Sequence, residues 1–161
     1  MNDKDKLAYL MSKLGTDPTK IKAKNDDGLA ERIKLQKIVF FAKRIGVDFS
    51  YNYSMFVHGP YSRDLARDYY SLNIESSKLN KSCEEIDVKI NLLSKLYRHD
   101  SLWMETAATI LAIKDANTKG DRSTIVTHTE TVKSLILFEN NKERDYVNKV
   151  FDDLAEMNLI R

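Results

Sequence analysis

Apolar and polar positions along the chain alternate with several distinct periods, and each period predicts an element. Between Asp5 and Leu14, residues Leu7, Leu10, Met11 and Leu14 fall on one face at helical spacing, and Gly15 supplies the left-handed residue that closes a helix. The stretch "GTDPTKIKAKNDDG" that follows reads as a polar connection, with Lys20, Lys22 and Lys24 as a solvated run. A second helix is expected from Asp26 or Asp27, either of which can cap free backbone N–H groups, to about Ile45. Within it Ile38, Val39, Phe40, Phe41 and Ala42 are consecutive and apolar, which leaves no face for water and predicts a central, buried helix.

After Gly46 the period changes to two. Tyr51, Tyr53, Met55 and Val57 alternate with Asn52, Ser54, Phe56 and His58, as in a short strand or hairpin arm, and Gly59-Pro60 is expected to end it. Ser62 can then cap a helix carrying Tyr61, Leu65, Tyr69 and Leu72 on one side. A polar loop is expected from Ser76 to Ser82. The segment "EEIDVKINLLSKLY" fits both periods; Ile86, Ile90, Leu93 and Tyr97 favour the helix.

Three more helices are expected. The first follows Asp100 and buries Leu102, Trp103, Thr106, Ala107, Ile110 and Leu111. The second, capped by Ser123, turns Ile125, Val126, Thr129, Val132, Leu135 and Ile136 inward, and the third runs from about Asn141 with Tyr146, Val147, Val150, Phe151, Leu154 and Met157 along one side. The expected fold is mainly α, a single domain over 1–161 with a short strand or β-hairpin arm. A helix–strand–Gly-Pro–helix unit near 26–75 and a helical unit near 83–161 share it. The last three helices follow the order of a degenerate winged helix. The chain ends at Arg161 with no wing hairpin expected after them.

Composition agrees with a helical domain. Only 5 Gly and 2 Pro punctuate 161 residues that are 42% hydrophobic and 31% charged. The absence of a long apolar run or a leader-like start predicts a cytoplasmic protein. Cys83 is the single cysteine, so no internal disulfide or redox pair is available. The net charge of +2 is divided unevenly. Residues 1–81 carry 15 Lys and Arg against 10 Asp and Glu, and residues 82–161 carry 11 against 14, so an acidic partner is expected to meet the first half.

The spelling "KLQKIVFFA" at Lys34 to Ala42, a Tyr/Phe-rich strand, and "GPYSRDL" at Gly59 to Leu65 resemble the YwgA-like prokaryotic proteins. More distantly they resemble the Panacea or SocA-like antitoxin domains, which share an "LQK" helix followed by a "GP" turn. Tyr61 stands where the Panacea domains usually have an aliphatic residue. The resemblance implies a mostly helical domain with a small strand element. It also implies an antitoxin-like or proteolytic-adaptor-like role, with a toxin, a protease or a regulator as the protein partner.

Candidate chemistry is sparse. His58, Ser62 and Asp64 are close in sequence, but no nucleophile-elbow motif accompanies them, and His58 is expected to bond to backbone within the turn. His99 and His128 lack metal-ligand spacing, and no phosphate loop or dinucleotide fingerprint is present. No enzyme activity, metal or cofactor is therefore expected. The best candidate interaction surface comprises Lys34, Lys37, Lys43 and Arg44 with Arg63 and Arg67, beside the turn motif His58, Gly59, Pro60, Tyr61 and Ser62. The function expected is a non-enzymatic interaction or regulatory module, and the alternative is a DNA-binding transcriptional regulator. Against the alternative, the would-be recognition helix between Glu139 and Glu156 carries six acidic residues and only Lys142, Arg144 and Lys149.

Overall fold

The computed structural model describes residues 1–73 and 81–161. It is mainly helical with one small antiparallel hairpin. The expected polar loop at Ser76 to Ser82 lies outside the described residues except for its last two positions.

Helix α1 (Asp3–Leu14) is capped by Asn2, whose side chain accepts from the Asp5 N–H, and closes on Gly15 at φ 70°. The polar connection after it contains a short helix not foreseen from the sequence, α2 (Pro18–Lys22), started by Asp17 and by a proline where no N–H is needed. Helix α3 (Asp26–Arg44) is capped by Asn25 rather than by Asp26 or Asp27, which instead place their charges in its first turn. Its residues Leu35 to Val39, Phe41 and Ala42 are buried, and Phe40 is half-buried.

The alternation after Gly46 forms a strand only at β1 (Ser54–Phe56). Gly59-Pro60 does not end the sheet. It begins the return strand β2 (Gly59–Tyr61), with Val57 and His58 as the turn and Ser54 opposite Tyr61, Met55 opposite Pro60 and Phe56 opposite Gly59. In a two-stranded sheet every strand is an edge, so a proline without an N–H is tolerated there. Ser62 caps α4 (Arg63–Ser71), its hydroxyl accepting from the Leu65 N–H at 3.3 Å.

The ambiguous segment is helical, in two pieces, α5 (Glu84–Asp87) and α6 (Ile90–Tyr97). Helix α7 (Ser101–Ala116), capped by Asp100, is buried at every position from Trp103 to Leu111, more continuously than α3. The two pack side by side, with α7 rather than α3 alone forming the centre. The single helix expected from Ser123 is capped by Asp121 and broken at Lys133 into α8 (Arg122–Val132) and α9 (Ser134–Glu139). Val132 and Leu135, expected to face inward, are exposed, because the inward stripe is Val126, Thr129, Lys133 and Leu137. Helix α10 (Arg144–Glu156) buries Val147, Val150, Phe151 and Leu154.

Buried side chains from α1, α3, α4, α6, α7, α8 and α10 belong to one continuous hydrophobic cluster. Polar contacts bind its edges. The Trp103 indole N–H donates to Asp153 at 2.9 Å, and Arg44 reaches both Asp115 and the Leu159 carbonyl. No helix among the described residues is long and apolar enough to cross a membrane.

Candidate functional site

The hairpin turn is held from below by ionisable side chains on three elements. From α3, Lys37 projects to the turn and its Nζ donates to the Pro60 carbonyl at 2.7 Å. Lys133, at the α8–α9 break, donates to the Val57 carbonyl at 3.1 Å and to Glu105 Oε1 at 2.5 Å. Glu105, from α7, meets the His58 ring at Nδ1 through its other oxygen, at 3.3 Å. One residue before Lys37, Gln36 pairs with the Ser62 backbone in both directions at 2.9 Å. The hairpin is thus held by two lysine side chains, one on a carbonyl of its turn and one on a carbonyl of its return strand, with a carboxylate between His58 and Lys133.

Gly59 is required by this packing. Its φ is +90°, and a Cβ there would lie 2.7 Å from Thr109 Oγ1 and 3.3 Å from the Glu105 carbonyl oxygen. The turn therefore docks against α7 with no room for a side chain.

Of these two buried lysines, only Lys133 pairs with a carboxylate among the described residues. Both Glu105 oxygens are occupied by Lys133 and His58, and Lys37 has no carboxylate within ion-pair distance among the described residues. Burial drives the Lys37 amine down to about 7, against a partial lift from Glu105 and a further lowering from Lys133. For Glu105, burial acts to raise the carboxyl pKa, but the hydrogen bond from His58 and the charge of Lys133 outweigh it, so it stays below the usual carboxylate value.

His58 is the crossing point of the surface above. It borders three adjoining cavities: one with Arg32, Lys37 and the tyrosines of β2 and α4, one with Val57, Val132 and Leu135, and one with Leu29, Leu102 and Glu105. Around them stand apolar side chains in solvent, Val57 at 76% exposure, Leu135 at 68% and Phe138 at 79%.

The six basic residues expected to form one surface are dispersed. Lys37 is 1% exposed, so it is not a surface group at all; it lies within the continuously buried stretch Leu35 to Val39 of α3. Lys34 lies over the Tyr97 ring at 4.3 Å, and Lys43 donates to the Tyr51 carbonyl at 2.6 Å. Arg44 is pinned to Asp115 at the far end of α3. Arg63 and Arg67 are exposed on α4, Arg63 beside the Phe56 ring and Arg67 paired with Asp64. The turn motif does come together, but His58 bonds to a carboxylate rather than to backbone. Ser62 and Asp64 are engaged in capping and ion pairing, so no hydrolytic set forms with His58.

Glu105, Lys133 and Thr109 went unnoticed in the sequence. Their signal is a polar residue on an apolar stripe: Glu105 within "LWMETAATIL", and Lys133 four residues after Thr129 and four before Leu137. Among the described residues no three His, Cys, Asp or Glu side chains gather to hold a metal ion.

No family model, curated protein or solved structure matches this chain.

Proposed function

We propose that this chain is a cytoplasmic, non-enzymatic interaction module, antitoxin-like or adaptor-like, that acts by protein contact through the face formed by the hairpin turn and α9. The observation that carries the reading is the run of exposed apolar side chains Val57, Val132, Leu135 and Phe138, the first three around one cavity and the last one turn from Leu135. Solvent-exposed apolar residues in contact with one another mark interaction surfaces more often than scattered ones do. The resemblance of Lys34 to Ala42 and of Gly59 to Leu65 to the YwgA-like and Panacea-like proteins supports the same reading, since the hairpin that carries part of it is braced by Lys37, Lys133 and Gln36. The partner is a toxin, a protease or a regulator, whose apolar residues cover this face.

Affinity capture from the native host tests it. Leu135→Asp and Phe138→Asp together should leave the helical circular dichroism unchanged and abolish recovery of the partner, whereas charge reversal at exposed Lys119 should leave recovery intact. Equal capture by the double variant and the wild type would remove this face from consideration. A DNA-binding regulator on a degenerate winged-helix scaffold is the alternative. It draws less support, because α10 exposes Asp145, Asp152 and Glu156 where phosphates would lie.

A further inference from the structure

Lys37 lines a cavity of about 180 Å³ between α3, α4 and β2. Arg32, His58, Tyr61, Tyr69 and Tyr70 line it too, and among the described residues no acidic side chain does. The two neighbouring cavities at His58 each contain acids, Glu139 in one and Asp26 and Glu105 in the other. This one is therefore distinguished by a basic, aromatic wall.

The polar groups in that wall are unequally engaged. Gln36 is used at both ends by Ser62, and Arg32 Nη1 donates to the Ile21 and Ala23 carbonyls. An ammonium has three N–H donors, and Lys37 Nζ uses one, on Pro60. Leu29, Ile33 and the three tyrosines supply flat apolar surface around it. A dry cavity of about 150 Å³ is enough for a benzene ring, so this volume holds one ring and a small substituent.

We infer that this cavity binds a small carboxylate carried on an aromatic ring, the ring against the tyrosines and the carboxylate on Lys37, which thereby gains the counter-ion that no carboxylate among the described residues provides. Binding of the anion retains a proton on the amine. A free aromatic acid and the terminal carboxylate of a chain ending in an aromatic residue offer the same chemistry. The inference stands on the cavity alone and does not depend on the proposed protein contact.

Isothermal titration and thermal unfolding of the full chain with benzoate, benzamide, N-acetylphenylalanine and N-acetylphenylalanine amide test it. Benzoate or N-acetylphenylalanine should bind and raise the unfolding temperature, and the neutral amides should not. If benzoate binds at least as well as N-acetylphenylalanine, the ligand is a free acid; binding confined to N-acetylphenylalanine identifies a chain terminus. Lys37→Met should abolish binding while leaving the helical signal intact. If that variant does not fold, the wild type still decides. The groups facing Lys37 are Glu105 from α7, Lys133 from the α8–α9 break, His58 from the turn, Arg32 from α3 itself, and Tyr61, Tyr69 and Tyr70. From about pH 8 to about pH 10 the acid's affinity should fall roughly tenfold per pH unit as the free amine comes to dominate. No binding by either acid, equal binding by the amides, or an affinity unchanged over that range would overturn the assignment.

Discussion

Burying an ammonium without a carboxylate costs several kcal/mol, and Lys37 escapes part of that by releasing its proton near neutrality. Its folded pKa of about 7 lies below the ordinary lysine value, so the unfolded chain binds the proton more tightly. Below pH 7 both states are protonated and the full cost of the buried charge is present. Between pH 7 and the ordinary value, unfolding takes up a proton, and stability rises with pH by up to about 1.4 kcal/mol per unit from this group. Urea unfolding at pH 6.5, 7.5 and 8.5 should show that rise in the wild type and its loss in Lys37→Met. Parallel pH profiles for the two proteins would mean that Lys37 keeps its proton in the fold. The amine can donate to Pro60 in either form, so the turn stays anchored across the range.

Among the elements, α3 and α7 pack against each other more extensively than any other pair of described elements, and they differ in how openly the sequence declares them. The consecutive apolar residues of α3 are legible, but the depth of each is not: Phe41 is 1% exposed, whereas Phe40 is half-buried with its edge against Phe41 and Tyr53. Phe41→Ala should therefore cost about 3–5 kcal/mol, and Phe40→Ala clearly less, about 1–3 kcal/mol, in urea unfolding. A larger loss at Phe40 would contradict this packing. The cap at Ser62, the glycine close of α1 and the start of a helix after Asp100 are legible because each depends on one residue and its immediate neighbours. What could not be read depends on distant partners. Periodicity placed Val132 inward and ignored Lys133, because a lysine is taken for solvent unless the carboxylate that receives it, Glu105 on another helix, is known to be adjacent. A hairpin arm is legible, but not the place of Gly59-Pro60 in its return strand: Pro60 does stop a central strand, and only the isolation of the hairpin makes it acceptable.

For the whole molecule, half of the six basic residues expected to form one surface in the first half are taken up within the fold. Lys37 is buried, Lys43 is drawn onto the Tyr51 carbonyl, and Arg44 is paired with Asp115 from the second half. Arg122 is likewise paired with Asp152, and Arg67 with Asp64. A nucleic acid needs several unmatched cations along a groove to displace counter-ions, and the helix that would enter the groove in a winged-helix arrangement presents acids. Binding to DNA should therefore be non-specific and steeply salt-dependent, with a dissociation constant on the order of 10⁻⁴–10⁻⁶ M at physiological salt. Fluorescence anisotropy with fragments of the host genome measures it directly. Nanomolar, sequence-selective binding at that salt would make the regulator reading the correct one, and the apolar face at the hairpin turn and α9 would then be the place to seek a second copy of the chain.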